Sequence, residues 1–425
     1  MLGIFSSVPL SAFLAATPAR AQEALLDDMS NETAAQSRTQ QAQMQDYSFK
    51  SGDFRLLLVP ALSLQWNDNI NATETDKQSD FIVLPTLGIV MSYPLTKQNL
   101  LQLNVTAGYN EYLNHPHLSS WYLQAGSGLS FNFYIKDILF NLHDNFSYVQ
   151  NTTAYATVAG TGTFGTFENT AGLFGEWSLR DIQFTLGYDH INTLATTGQF
   201  NNTDSSTESI YGRAGYTWNS KLTTGVEGTF SYMGYNQNVL NNNTMYSAGV
   251  YGDWQPDKFL HVEPRVGYTI AVFQQTSQQL QTANLSSWYA DLNISHQITK
   301  QLSYSIDGGH NIAAGVQSDA NEYWYANANV TWNFIRGFSF QPSVFYQHGN
   351  QGIGSTVLPA GDGNLVLLQQ NEIYNWYGGQ IGFSYAITKR FTASINYQIT
   401  QRTSSIPDRG YTENVIGIQL TYHPI

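Results

Sequence analysis

Residues 259–272 read FLHVEPRVGYTIAV, in which His261, Glu263 and Arg265 alternate with Leu260, Val262 and Val266. A strand of period 2 puts these two sets on opposite faces. Imidazole, carboxylate and guanidinium two residues apart on one wetted face orient water and sort passing solutes by the sign of their charge. The same phase places Glu176, Asp189, Arg213, Glu227, Asp291 and Asp307 on the polar face of their own alternating stretches. These nine residues are the candidates for lining a pore, as a constriction of mixed sign with acids in excess. The plainer alternative is that they solvate a water-filled interior or tie neighbouring strands together by cross-strand pairs.

Other chemistry has less support. There is no G-x-S-x-G elbow and no H-E-x-x-H helix, so no enzyme is expected. The two histidines of "HPH" (115–117) lack a third ligand and make a poor metal site. Cysteine is absent, which removes disulfides, thiolate metal sites and cysteine nucleophiles. A net charge of −13 argues against nucleic acid as a partner. No cofactor or metal is expected.

The elements that would position the nine residues repeat along the chain. From Phe54 onward a strand of about 10–14 residues meets a short turn, a second strand follows, and then comes a longer polar loop. The short turns are "PLTKQ" (94–98), "IKD" (135–137), "RD" (180–181), "NSK" (219–221), "PDK" (256–258), "ITKQ" (298–301), "IRG" (335–337) and "ITKR" (387–390). The long connections include 67–80, 150–167, 192–207 and 348–370, rich in Asn, Thr, Ser, Gln and Gly. The 348–370 loop, with "LVLL" inside it, is a candidate for folding inward as a constriction, or for packing on the rim. Sandwich strands average about half this length, whereas a tilted strand crossing a membrane needs it.

Composition agrees. Charged residues make up 12% of the chain and aromatics 14%, with 27 Tyr. That is about half the usual charged share, as expected where alternate residues face lipid. Trp66, Tyr93, Trp121, Tyr134, Trp177, Trp218, Trp254, Trp288, Trp332 and Phe391 fall near strand ends, where aromatic girdles form. The expectation is an all-β chain: a transmembrane antiparallel up-and-down β-barrel of about eighteen strands, or sixteen if one hairpin is misread. Short turns would be periplasmic and long loops extracellular.

Ahead of the barrel, the apolar stretch Leu2–Ala16 and the Ala19-Arg20-Ala21 triplet read as an export signal cleaved before Gln22. No basic residue precedes the apolar stretch, which points to a start upstream of Met1. The expected division is 1–21 signal peptide, 22–52 periplasmic extension and 53–425 barrel. The C-terminal "VIGIQLTY" (415–422), with Leu420 and Tyr422 on one face, resembles the strand signal read by the outer-membrane assembly machinery. It departs in having Val415 at a usually polar position and three residues after the aromatic.

The first hairpin, "PALSLQWNDNINATETDKQSDFIVLPTLGIVMSYPL" (60–95), is more specific. With Trp66, Asp68, Asn69, Ile70, Asp80, Pro85 and Leu87 it resembles the opening of the beta-barrel porin 2 family. The resemblance covers this hairpin alone. It implies an outer-membrane barrel, with exopolysaccharide production among the processes that relatives accompany. Read without it, Asp68 and Asn69 stand where a strand enters a loop and bond backbone there.

The function expected is passage of hydrophilic solutes, saccharides being one candidate, across the outer membrane of a Gram-negative bacterium. A component of surface-polysaccharide export and a loop-based adhesin or receptor are the alternatives. Partners expected are outer-membrane lipid and lipopolysaccharide, the assembly machinery, small hydrophilic solutes and, as one arrangement, further copies of the chain.

Overall fold

The computed structural model describes residues 47–96, 98–277, 282–315, 318–352, 356–359, 365–368 and 371–424. The signal peptide and most of the 22–52 extension therefore lie outside the described residues.

Eighteen long strands close into a barrel: β2 (Phe54–Asn67), β3 (Asp80–Pro94), β4 (Leu100–Tyr112), β5 (Ser120–Ile135), β6 (Ile138–Gln150), β7 (Gly165–Leu179), β8 (Ile182–Ala195), β9 (Ser205–Asn219), β10 (Leu222–Tyr235), β11 (Asn243–Trp254), β12 (Leu260–Phe273), β13 (Leu285–Gln297), β14 (Leu302–Ala313), β15 (Asn321–Ile335), β16 (Phe338–Gln351), β19 (Glu372–Ala386), β20 (Phe391–Ser404) and β21 (Tyr411–Tyr422). A short strand β1 (Phe49–Ser51) pairs with β2, inside the stretch read as extension. Strands β17 (Thr356–Pro359) and β18 (Leu365–Leu368) form a separate hairpin in the loop after β16.

Every barrel strand pairs antiparallel with its sequence neighbours, and β2 pairs with β21 to close the ring. The turns expected to be short are short, and the long connections gather at the opposite end. One boundary moves. "HGNQ" (348–351), read as the start of a loop, continues the strand β16. The LVLL segment forms β18 of the small hairpin; the side chains from 353 to 370 lie outside the described residues.

Burial alternates along the strands as period 2 requires. On β12, Val266 and Ile270 are exposed on the outer face while Arg265 and Thr269 are buried within. Leu62, Leu129, Leu142, Leu173, Leu186, Val226, Val250, Leu292, Ile306, Val344, Ile381, Ile395 and Ile418 continue the exposed apolar band around the ring. In a water-soluble fold so many exposed aliphatics would be costly. Against hydrocarbon they are at home. Tyr93, Tyr134, Trp177, Trp218, Trp254, Trp332, Phe338 and Phe391 are exposed near the short-turn end, and Trp121, Trp288 and Trp324 near the other. Rings with a polar edge at both boundaries are the girdles of a membrane barrel.

Candidate functional site

The inner wall from β9 to β15 concentrates charge. Arg213 and Glu227 stand directly opposite each other on β9 and β10, as do Arg265 and Asp291 on β12 and β13. Glu227 is the centre. Its Oε1 accepts from Arg265 Nη2 at 2.9 Å, Arg265 Nε at 3.0 Å and the Tyr289 hydroxyl at 2.8 Å, and its Oε2 from Arg213 Nη2 at 2.9 Å. Arg213 Nη2 also reaches Glu263 at 3.3 Å, and its guanidinium lies 4.6 Å from the centre of the Tyr251 ring.

Further along the wall, Tyr325 donates to Asp291 at 2.7 Å and Asn327 to Asp307 at 2.9 Å. His261 Nε2 is 3.1 Å from Asp253, and Arg265 Nη1 is 4.0 Å from Asp291. The Glu227 side chain is fully enclosed and that of Arg265 is 4% exposed. Ions so enclosed are held because each satisfies the other with charge-assisted bonds. Seven of the nine residues singled out from the sequence, Arg213, Glu227, His261, Glu263, Arg265, Asp291 and Asp307, thus occupy one wall.

The other two stand apart. Glu176 shares the inner phase of β7 and lies opposite Thr185. Asp189 on β8 is buried and takes His143 Nε2 at 2.9 Å, although β7 runs between their strands. Gly172 makes this possible. A Cβ there would meet Asp189 Oδ1 at 1.7 Å and His143 Nε2 at 2.6 Å. The pair therefore lies flat across a glycine gap, with Asn141 holding the other imidazole nitrogen at 2.9 Å. Gly172→Ala is expected to push the pair apart and lower barrel stability by about 1–3 kcal/mol, the range for overpacking. A midpoint of urea unfolding equal to wild type would contradict this placement. His143 was not among the residues picked from the sequence. Its alternation with Leu142 and Asp144 gives no signal, because the partner lies two strands away.

The outer part of the lumen is occupied by a loop that the sequence did not single out. The connection from β6 to β7 turns inward, burying Tyr155, Ala156, Val158, Ala159 and Phe164. Ala156 and Ala159 pack with Ala72, Tyr374, Trp376 and Tyr411, which belong to the closing side of the ring. Tyr155, Val158 and Phe164 pack with Phe200 from the neighbouring loop. Gly160 N–H donates to the Ala72 carbonyl at 2.9 Å. Arg402 Nε donates to the Ala156 carbonyl at 2.7 Å and Arg409 Nη2 to the Thr157 carbonyl at 2.8 Å. Among the described residues this loop is the candidate constriction; the expectation placed on 348–370 falls largely outside them.

A second group of loops meets at Asp319, which accepts from Asn241 N at 2.8 Å, Asn241 Nδ2 at 2.7 Å and the Thr282 hydroxyl. Asp319 lies outside the strands. Loss of solvation raises its carboxyl above the ordinary value, opposed by the bonds from Asn241 and Thr282. Beneath it Met233, Met245, Ala271, Phe273 and Ile312 form an apolar cluster.

At the same rim, the residues that carried the family resemblance bond across the closing seam. Asp68 accepts from Asn414 N at 2.6 Å and Asn414 Nδ2 at 2.7 Å, and Asn69 Nδ2 donates to the Thr412 carbonyl at 3.0 Å. Asp80 collects Asn114 and His115, whose Nδ1 lies 2.8 Å away, so one imidazole of "HPH" is already engaged. Among the described residues no group of three His, Asp or Glu side chains could hold a metal ion.

A closed barrel with an apolar outer band, aromatic girdles and a charged interior is a transmembrane β-barrel of the outer-membrane type. No protein-family model matches the chain, and no curated relative does, so the hairpin's likeness to the beta-barrel porin 2 family stays one of motif. Solved structures resemble it in architecture. OccAB3 of Acinetobacter baumannii is 10% identical, with 86% of this chain and 98% of that one covered at a TM-score of 0.47. OccK2 (OpdF) of Pseudomonas aeruginosa, solved in complex with glucuronate, is 8% identical, with 88% and 99% covered at 0.47. The outer membrane protein OpdK of the same organism is 9% identical, with 86% and 98% covered at 0.45. Likeness at this level leaves the contents of the lumen to be read from this chain's own residues.

Proposed function

We propose that the protein is a channel for hydrophilic solutes in the outer membrane of a Gram-negative bacterium, and that its inner wall favours cations over anions. The observation that carries this is the composition of the wall from β9 to β15. Glu227, Asp253, Glu263, Asp291 and Asp307 stand there against Arg213, Arg265 and His261, five carboxylates to two permanent cations. An eighteen-strand barrel encloses an aqueous lumen, and in it a net negative wall concentrates cations within a Debye length of about 8 Å at physiological salt. Neutral polar solutes, saccharides among them, meet the half-buried Tyr251 ring beside the Arg213 guanidinium, an aromatic surface that suits stacking.

The test is reconstitution in a planar bilayer under a KCl gradient. Discrete steps and a reversal potential of cation-selective sign are expected. The double variant Glu263→Gln, Asp307→Asn should move the reversal potential toward zero without abolishing the steps. Anion selectivity in the native protein would reject the reading of the wall, and a folded barrel that never conducts would reject the channel.

A further inference from the structure

We infer that Glu372 is a positioning residue that fastens the β6–β7 loop inside the lumen, by holding the two arginines whose free N–H groups grip the loop backbone. This rests on the channel reading only for its effect on conductance; the fastening itself stands on the geometry.

Glu372 is the first residue of β19 and is fully buried. Its Oε1 accepts from Arg402 Nη2 at 2.7 Å, Arg409 Nε at 2.9 Å and Ser404 Oγ at 2.6 Å, and its Oε2 from Gln351 Nε2 at 3.1 Å. Three of these donors turn other hydrogens, or the same group, toward the loop. Arg402 Nε reaches the Ala156 carbonyl, Arg409 Nη2 the Thr157 carbonyl, and Gln351 Nε2 the Thr157 carbonyl at 3.3 Å.

A carbonyl dipole alone does not hold two buried guanidiniums. Each would carry an uncompensated charge in an enclosed site, a state avoided unless an anion is present. The carboxylate supplies that anion and fixes both forks in one orientation. The Arg402 guanidinium also lies 5.1 Å from the centre of the Tyr374 ring, whose face forms part of the apolar seat for Ala156 and Ala159. The loop has little else to hold it on this side. Among the described residues its other contacts there are small alanines, the bond from Gly160 to Ala72 and a side-chain bond between Thr153 and Glu413.

The experiment uses the full-length folded protein with Glu372→Gln and, separately, Arg409→Gln. The second leaves Arg402 and Glu372 as a one-to-one ion pair, with no unmatched buried charge, and tests the idea should the first fail to fold. Two readouts are taken. Amide exchange over 156–160 is expected to quicken by about tenfold or more in either variant, as local opening becomes easier, while exchange in β10–β14 stays unchanged. Single-channel conductance is expected to rise on the order of twofold in Glu372→Gln as the loop leaves the lumen.

Since the chain has no cysteine, Ala72→Cys with Ala159→Cys in the Glu372→Gln background can tether the loop again. Oxidation should return conductance toward the native value, and a merely destabilised barrel would show no such return. Native exchange over 156–160 in both variants would overturn the fastening. Changed exchange in a protein that conducts in no form would leave the fastening standing and reject the channel.

Discussion

Glu227→Ala is expected to lower the stability of the folded barrel by about 3–5 kcal/mol, the cost of removing one partner from a buried ion pair. Arg265 is the reason. Its side chain is 4% exposed, and two of its three nitrogens bond Glu227 at 2.9–3.2 Å. Without the carboxylate that guanidinium has no ion-pair partner closer than Asp291, at 4.0 Å, with Glu263 acting on it from further off. The Tyr289 hydroxyl loses its acceptor at the same time. Urea unfolding in lipid vesicles, followed by tryptophan emission, measures the shift. Glu227→Gln combined with Arg265→Met should recover most of the loss, since removing both charges removes the desolvation problem. A single variant as stable as the native protein would mean that water reaches Arg265, and the wall would be far wetter than the burial of these side chains indicates.

Asp68→Ala is expected to cost about 2–3 kcal/mol, from two bonds to a charged acceptor lost together. The position makes the effect larger than its exposure suggests. β2 pairs with β3 over Arg55–Asn67, but with β21 only over Ala61–Asn67. The seam is short, and the side chains beyond its end extend it. Asp68 takes the main-chain and side-chain N–H groups of Asn414, Asn67 Nδ2 donates to Glu413 at 2.6 Å, and Asn69 reaches the Thr412 carbonyl. The temperature at which the folded form changes mobility on a semi-native gel should fall. An unshifted transition would show that the hydrogen-bond ladder alone closes the ring.

The barrel was legible in the chain because a lipid boundary imposes period 2 on every strand, and because turns at one end are cheap to keep short. FLHVEPRVGYTIAV could be phased from its aliphatics alone, and Val266 outside with Arg265 inside is what the structure has. The inward loop was not legible. Arg402 and the Ala156 carbonyl it binds are 246 residues apart, and no periodicity links them. "TTAYATVAGTGTF" reads as an ordinary polar loop, while 348–370 looked more apolar. One signal was there. Lysine and arginine otherwise favour the short turns, so Arg402 and Arg409, at the far end of β20 and in the loop that follows, were out of place. Arg213 and Arg265, which lie within strands, were marked by their phase in the alternation instead. Charge in an unexpected position, more than charge itself, pointed to the interior contacts.

The short seam has a consequence at the other end of β2. Where β21 has ended, the seam-side backbone of β2 would stand open, a template on which another chain could add a strand and begin to aggregate. Three things blunt it. β1 covers Phe54–Leu56, and the Ser48 hydroxyl accepts the Leu58 N–H at 2.8 Å. Pro60, two residues further along the same edge, has no N–H to offer. The residues just ahead of the barrel thus cover part of the edge that β21 leaves open, and trimming the chain to Phe54 is expected to give a barrel that closes as before but elutes as aggregates in size-exclusion chromatography.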